Sequence, residues 1–289
     1  MILIGLSSLI IFISITASGI GLATAGRLTE KSLHRLTGIA SGLLLGSALL
    51  VVLPEGFHMV SGSDGLAYSP LVLGTAVASG FICMLILEGM GLSHAIHEEH
   101  HDHQVGHGHG HVHHPQSGLV MAIGLSMHAI ADGLAIGAAT ASGETSISLL
   151  VAFGVLVHRV PAALSLGVFS SHETATRKSI WGGLLLFALA TPAGAIGAYF
   201  ALDNASGSLV GVVLLFSAGT FIYVTTVDAL PSIHNPETGP RSARIVVASA
   251  ALFAAALFAL NATGILTHSQ HEVHANQSGA SSADIGVTL

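Results

Sequence analysis

The chain has 289 residues, of which 51% are hydrophobic and 8% charged, with a formal net charge of −7. An ordinary soluble domain carries about 25% charged residues, so a chain built around a single water-soluble core is excluded and lipid is the expected solvent. With eight Lys and Arg in total, no nucleic-acid partner is expected.

A bilayer core of roughly 30 Å takes about 20 apolar residues to cross as helix. Eight such runs follow one another, at 3–25, 37–59, 69–91, 117–141, 147–170, 180–200, 208–230 and 244–266. The predicted fold class is therefore an all-α membrane protein of eight transmembrane helices. Abundant glycine, 35 residues, fits helices that approach closely in lipid. The first run has no basic segment before it and reads as a retained span, not a cleaved signal peptide. The second closes with "VVLPEGFH", where Glu55 and His58 stand three apart on neighbouring helix positions. They form either an entrance for cations or an ordinary interfacial cluster. The third run holds the single cysteine, Cys83, so no disulfide framework is expected. Glu88 near its end either lines an exit or faces water.

Between the third and fourth runs comes "HAIHEEHHDHQVGHGHGHVHH", with ten of the nineteen histidines: His94, His97, His100, His101, His103, His107, His109, His111, His113 and His114. A Gly/His tract cannot form a packed core, and neutral imidazole suits zinc and its neighbours. The expected organisation is thus spans one to three in 1–93, a His-rich metal-binding loop in 94–116, spans four to eight in 117–266, and a tail in 267–289.

The fourth run contains "SMHAIADGLAIG" and the fifth "VLVHRVPAALSLG". An ionisable group at membrane depth costs about 2.5–3.5 kcal/mol on insertion scales and usually lines a cavity or pathway. His128 and Asp132 are one turn apart, hence on one helix face. His158 lies mid-span in the next helix, followed by Pro161, which removes an amide donor and frees the carbonyl of Val157 for water or an ion. Two imidazoles and one carboxylate make a three-ligand site for Zn²⁺ that water completes; the plainer reading is a pair of histidines hydrogen-bonding between helices. In the sixth run Thr191 and Pro192 read as packing, and in the seventh Asp228 is a second exit candidate. Arg159 is the one basic residue near the middle of a span.

Orientation follows from the remaining seven basic residues. Arg27, Lys31 and Arg35 fall in the first loop, Arg177 and Lys178 in the fifth, Arg241 and Arg244 in the seventh. Cytoplasmic loops attract Lys and Arg, so the odd loops, the His-rich one included, are expected inside and both chain ends outside. The plasma membrane is the expected location, with an organellar membrane as the alternative.

These residues resemble the ZIP (Zrt/Irt-like) divalent-metal transporters, which have eight spans, a cytoplasmic His-rich loop and a His-x-x-x-Asp/Glu-Gly motif in span four. "HAIADG", "HRVPAA", "LLLGSALLVVLPEGFH" and "FSAGTFIYVTTVDALP" are similar above all to the branch of the ninth vertebrate member. The resemblance implies a bundle in which spans one to three and six to eight form an inverted repeat around spans four and five. It also implies alternating access of elevator type and a homodimer. The protein would have no catalytic residues and no cofactor; a divalent ion would be its substrate, zinc first, with Fe²⁺, Mn²⁺ and Cd²⁺ tolerated by the same ligands.

Departures from the family pattern concern the site. Ala129 stands where asparagine is common, and Arg159 and Ala162 where acidic residues are common. A second ion would lose its ligands, and the Arg159 guanidinium is expected to replace it as a tethered cation paired with Asp132 or Asp228. Three other classes compete. A cation-diffusion-type exporter would have six spans, a second Asp-x-x-x-Asp helix and a soluble C-terminal domain. An intramembrane metalloprotease would need His-Glu-x-x-His on a helix, and "HEEHH" has neither the place nor the spacing. A metal sensor or receptor without flux would differ only in transport.

Overall fold

The computed structural model describes residues 1–25, 30–62, 65–89, 118–171, 176–234 and 239–262. The expectations for the His-rich loop and for the tail lie outside the described residues. Among the described residues, eight spans are long and apolar enough to cross a bilayer, as the hydropathy requires. They are built from α1 (Ile2–Thr24), α2 (Glu30–Ser47) with α3 (Leu53–Val60), α4 (Pro70–Gly89), α5 (Gly118–Ala141), α6 (Thr145–Ser171), α7 (Arg177–Ala201), α8 (Gly207–His234) and α9 (Gly239–Ala262). Hydropathy misplaces the polar helix ends: α8 runs on to His234 and α9 begins at Gly239, because residues that leave the lipid can stay helical without being apolar. A two-residue hairpin, β1 (Ser61–Gly62) with β2 (Gly65–Leu66), pairs antiparallel between α3 and α4. It lies beyond the all-α expectation.

The second span is not one regular helix. A π-helical turn, Ala48–Val52, joins α2 to α3, and the Leu53 amide donates to the Ala48 carbonyl five residues back. Pro54 follows at once. It has no amide to give to the Leu50 carbonyl and its ring would press on that oxygen; the widened turn shifts the register and relieves the clash. Pro161 and Pro192, by contrast, sit inside α6 and α7 without ending either helix.

Packing divides the spans into two groups. α1, α5, α6 and α7 pack on one another, with α5 along α7 and α1 along α6; α2 with α3, α4, α8 and α9 form the other group, with α4 along α8 and α2 along α9. The two meet mainly where α2 crosses α6 and α8 crosses α5. Exchanging α1 with α7, α2–α3 with α8, α4 with α9, and α5 with α6 turns each of these pairings into another of them. That exchange is what an inverted repeat around spans four and five requires.

Glycine makes the closest of these contacts possible, since in lipid helices associate by van der Waals fit rather than by expelling water. A Cβ on Gly133 of α5 would strike the Thr191 carbonyl of α7, and one on Gly194 of α7 would strike the Ile130 carbonyl of α5. Gly21 and Gly167 do the same between α1 and α6, as do Gly80 and Gly219 between α4 and α8. Large apolar side chains such as Leu71 and Phe258 are left exposed on the outside, where lipid covers them.

Backbone against backbone leaves no room to relax. Gly194→Leu should therefore cost about 3 kcal/mol, the upper end for overpacking, and lower the unfolding midpoint of the purified protein in detergent. Gly197→Leu, one turn on in the same helix and with nothing within 4 Å of its added Cβ, should leave that midpoint close to wild type.

Candidate metal centre

The helical spacing of α5 stacks His128 above Asp132, and α6 brings His158 and Arg159 against them. All four are buried: His128 is 6% exposed, Asp132 0%, His158 2% and Arg159 1%. One ligand atom from each of His128, Asp132 and His158 can be chosen so that all three lie within 4.8 Å of one another. The carboxylate is the hub. Its Oδ1 is 3.6 Å from His128 Nε2, and its Oδ2 is 3.4 Å from His158 Nε2 and 3.6 Å from Arg159 Nη1.

The tautomer of His158 is fixed by its own helix. Its Nδ1 lies 2.9 Å from the Gly154 carbonyl, an acceptor only, so Nδ1 carries the proton and donates it. In the neutral ring that a metal requires, Nε2 then carries the lone pair, and it faces Asp132 Oδ2, itself an acceptor. Among the described residues, neither oxygen of Asp132 nor Nε2 of His158 makes a hydrogen bond. Acceptors facing one another at buried positions repel, and a buried polar group left unpaired is costly. A cation between them removes both costs. The ring separation of 5.8 Å between His128 and His158 keeps the two imidazoles on either side of the carboxylate, as a shared ion needs.

Arg159 is held from several sides. Nε donates to Ser14 Oγ of α1 at 3.0 Å, Nη2 donates to the Phe187 carbonyl of α7 at 2.6 Å, and the guanidinium carbon stands 3.7 Å from the centroid of the Phe187 ring. Nη1 is left facing Asp132. Of the two partners that the sequence offers Arg159, Asp132 is the one within ion-pair distance; the Asp228 side chain lies outside the described residues, although its backbone belongs to α8. From the second group of helices, Phe221 of α8 lies edge-to-face on both imidazoles, at 6.3 Å from His128 and 6.0 Å from His158. It closes that side with an apolar wall.

The remaining candidates stand apart from the cluster. Glu55 is half-buried and His58 exposed on α3, and Glu55 is within electrostatic reach of Glu144, just before α6. Glu88 accepts a 2.6 Å hydrogen bond from the Tyr223 hydroxyl of α8, and Phe81 meets that ring edge-on at 5.0 Å. Thr191 donates to the Ala129 carbonyl at 2.8 Å, a packing role. The ten histidines of the loop lie outside the described residues. Ser14, Phe187, Gly154 and Phe221 are site residues that sequence reasoning passes over. Ser14 leaves a faint signal as a hydroxyl within an apolar span; a carbonyl acceptor leaves none.

Among the described residues, eight helices long and apolar enough to cross a membrane and a buried cluster of two imidazoles and a carboxylate define a class: a multi-pass integral membrane protein with an intramembrane site fit for a divalent metal ion. The family model described as ZIP Zinc transporter matches residues 1–262, and the chain belongs to the ZIP zinc transporter family. Similar relatives include the zinc transporter ZIP9 of Xenopus tropicalis, 32% identical over 82% of this chain and 88% of the relative. ZIP9 of Micropogonias undulatus is 32% identical over 71% and 77%. The zinc transporter ZIP1 of Danio rerio is 27% identical over 70% and 76%.

Removing one member of a buried ion pair strands the other, which typically costs about 3–5 kcal/mol. Arg159→Met should accordingly destabilise the metal-free protein by that order, read as a lower unfolding midpoint in detergent with chelator. Arg159→Lys, which keeps the charge but has no planar fork to reach Ser14 and Phe187 together, should fall between the two.

Proposed function

We propose that this ZIP protein moves one divalent ion per cycle, zinc by ligand type, through His128, Asp132 and His158 toward the cytoplasm. The observation that carries this reading is the set of facing, unsatisfied acceptor atoms buried midway along α5 and α6. Two imidazoles and one carboxylate supply three ligands and leave a fourth position for water, an arrangement from which an ion can be released. Glu55 and His58 offer a mouth that attracts cations. Glu88, Asp228 and the histidines from His94 to His114 offer acceptors on the other side. The concentration of Lys and Arg in alternate loops supports a cytoplasmic His-rich loop and outward termini. A homodimer in the plasma membrane is the assembly that the family likeness favours.

The single-ion reading rests on Arg159. Its guanidinium approaches Asp132 where the family pattern would have further acidic ligands, and a fixed positive charge there repels a second metal. Arg159→Glu should raise bound zinc by one ion per chain, measured by elemental analysis of the purified protein; the His-rich segment contributes equally to both forms and cancels in the difference. Unchanged stoichiometry would remove Arg159 from this role.

Flux itself is tested by time-resolved ⁶⁵Zn uptake into proteoliposomes. Saturable uptake by the wild type that is lost in both His128→Ala and His158→Ala is the expected result. Zinc that is bound but never transported would instead favour the sensor. Because ligating imidazoles must be neutral, protons compete with the ion, and uptake should fall as pH drops from about 7.5 to about 5.5. A flat profile over that interval contradicts ligation by His128 and His158.

A further inference from the structure

Two imidazoles and a carboxylate do not by themselves choose among divalent ions, so the choice falls to whatever fills the remaining coordination positions. Within the first group of helices, Arg159 faces Asp132 at 3.6 Å. From the second group comes Phe221, wholly buried. Its ring centroid stands 6.3 Å from that of His128 and 6.0 Å from that of His158, and the two imidazoles are 5.8 Å apart. Three nearly equal sides put Phe221 over the gap between the imidazoles rather than beside either of them. What exposure the ligands retain is greatest at His128, 6% against 0% for Asp132 and 2% for His158.

The ring is not free to turn aside. Phe221 is packed in one apolar cluster with Ile136 of α5, Val155 of α6 and Val51 of the π-helical turn, each 0% exposed. None of these side chains can hold water, and a buried water typically needs about three polar partners. The hydroxyls that α8 carries on either side of Phe221, Ser217, Thr220 and Thr225, donate to carbonyls of their own helix. On the side of the second group the ion would thus meet a hydrocarbon face, and water has its way in beside His128.

We infer that Phe221 is a specificity-determining residue: its ring withholds the extra waters that an octahedral ion needs and so favours Zn²⁺ over Mn²⁺. The inference rests on the transport reading above and names what that site selects. Zn²⁺ has no geometric preference from its d electrons and is satisfied by three protein ligands and one water in a tetrahedron. Mn²⁺ takes an octahedral, oxygen-rich shell, and the same three ligands with one water leave it short of that shell. The ligands come from the first group of helices and the ring from the second. Selection therefore acts where the two groups meet in the arrangement described, with Phe221 against both imidazoles.

The test compares initial rates of ⁶⁵Zn and ⁵⁴Mn uptake by the full chain in proteoliposomes, expressed as the ratio of kcat/KM for the two ions. Phe221→Ala opens space beside the imidazoles, and Phe221→Thr adds a hydroxyl that can hold a water. Each should lower the zinc-to-manganese ratio by about tenfold, the order contributed by one or two hydrogen bonds to a held water, and either suffices if the other does not fold. Phe221→Leu, bulky and apolar, should keep the wild-type ratio. A purely structural role for the ring would lower both uptakes in proportion and leave the ratio where it was. If the smaller variants fold but carry neither ion, the ratio is read from displacement of bound zinc by manganese in the purified protein. The same form with His158→Ala is subtracted, which cancels the His-rich segment. An unchanged ratio in folded Phe221→Ala or Phe221→Thr, or a fall in Phe221→Leu as large as theirs, overturns the inference. No zinc uptake by the wild type would instead overturn the transport reading, and the displacement ratio would still decide the role of Phe221.

Discussion

A carboxylate at membrane depth cannot stay ionised without a positive partner, and the centre of this protein is arranged around that requirement. Asp132 is fully buried, and among the described residues the groups within ion-pair distance of it are a guanidinium and two imidazoles. An ionisable side chain at this depth is costly unless it is paired. Arg159 sets a guanidinium 3.6 Å from that carboxylate, and the carboxylate in turn gives Arg159 a reason to be in the bilayer at all. The two imidazoles approach the same carboxylate and offer their nitrogens beside it.

The surrounding architecture serves to hold that arginine. A guanidinium brings five donors into the core, and unsatisfied donors in lipid are costly. Ser14 and the Phe187 carbonyl accept two of the bonds, and the Phe187 ring covers the face of the group. These partners come from the first and sixth spans, which the inverted repeat brings alongside the fourth and fifth. Close approach is needed for such reach, and glycine provides it on both sides of the centre, Gly21 with Gly167 and Gly133 with Gly194. The group of α1, α5, α6 and α7 is therefore tied together twice, once by bare backbone contact and once through the hydrogen bonds of a single side chain.

Much of this is legible in the sequence, and the limit lies where contacts become long-range. Eight spans follow from apolar length alone. His128 and Asp132 follow from the 3.6-residue turn, and His158 follows from being ionisable at mid-span. For Arg159 the sequence narrows the partner to two aspartates, and only geometry brings Asp132 within reach. Gly154 as the group that fixes the His158 tautomer is local but silent, because every residue has a carbonyl. Phe221, some sixty residues beyond His158, looks like any other lipid-compatible residue until α8 is seen crossing α5. The π-helical turn escapes notice for another reason: Pro54 announces a disturbance of the helix without saying whether the chain will kink, break or widen. Helix ends such as His234 escape because hydropathy reports lipid, not helix.

The departures from the family pattern make sense as one change in charge balance. Had Arg159 appeared beside an acidic residue at 162, the arginine would have had two carboxylates to choose from, and Asp132 need not have been its partner. Had Ala162 appeared with an acidic residue at 159, Asp132 would have faced a second carboxylate with no cation except the transported ion, and like charges at such distances do not both stay ionised. With arginine at 159 and alanine at 162, a single carboxylate meets a single guanidinium, and the histidines add nitrogen ligands beside the pair. The arginine offsets the charge of the aspartate, while the unpaired atoms of Asp132 and His158 are left for an ion to satisfy.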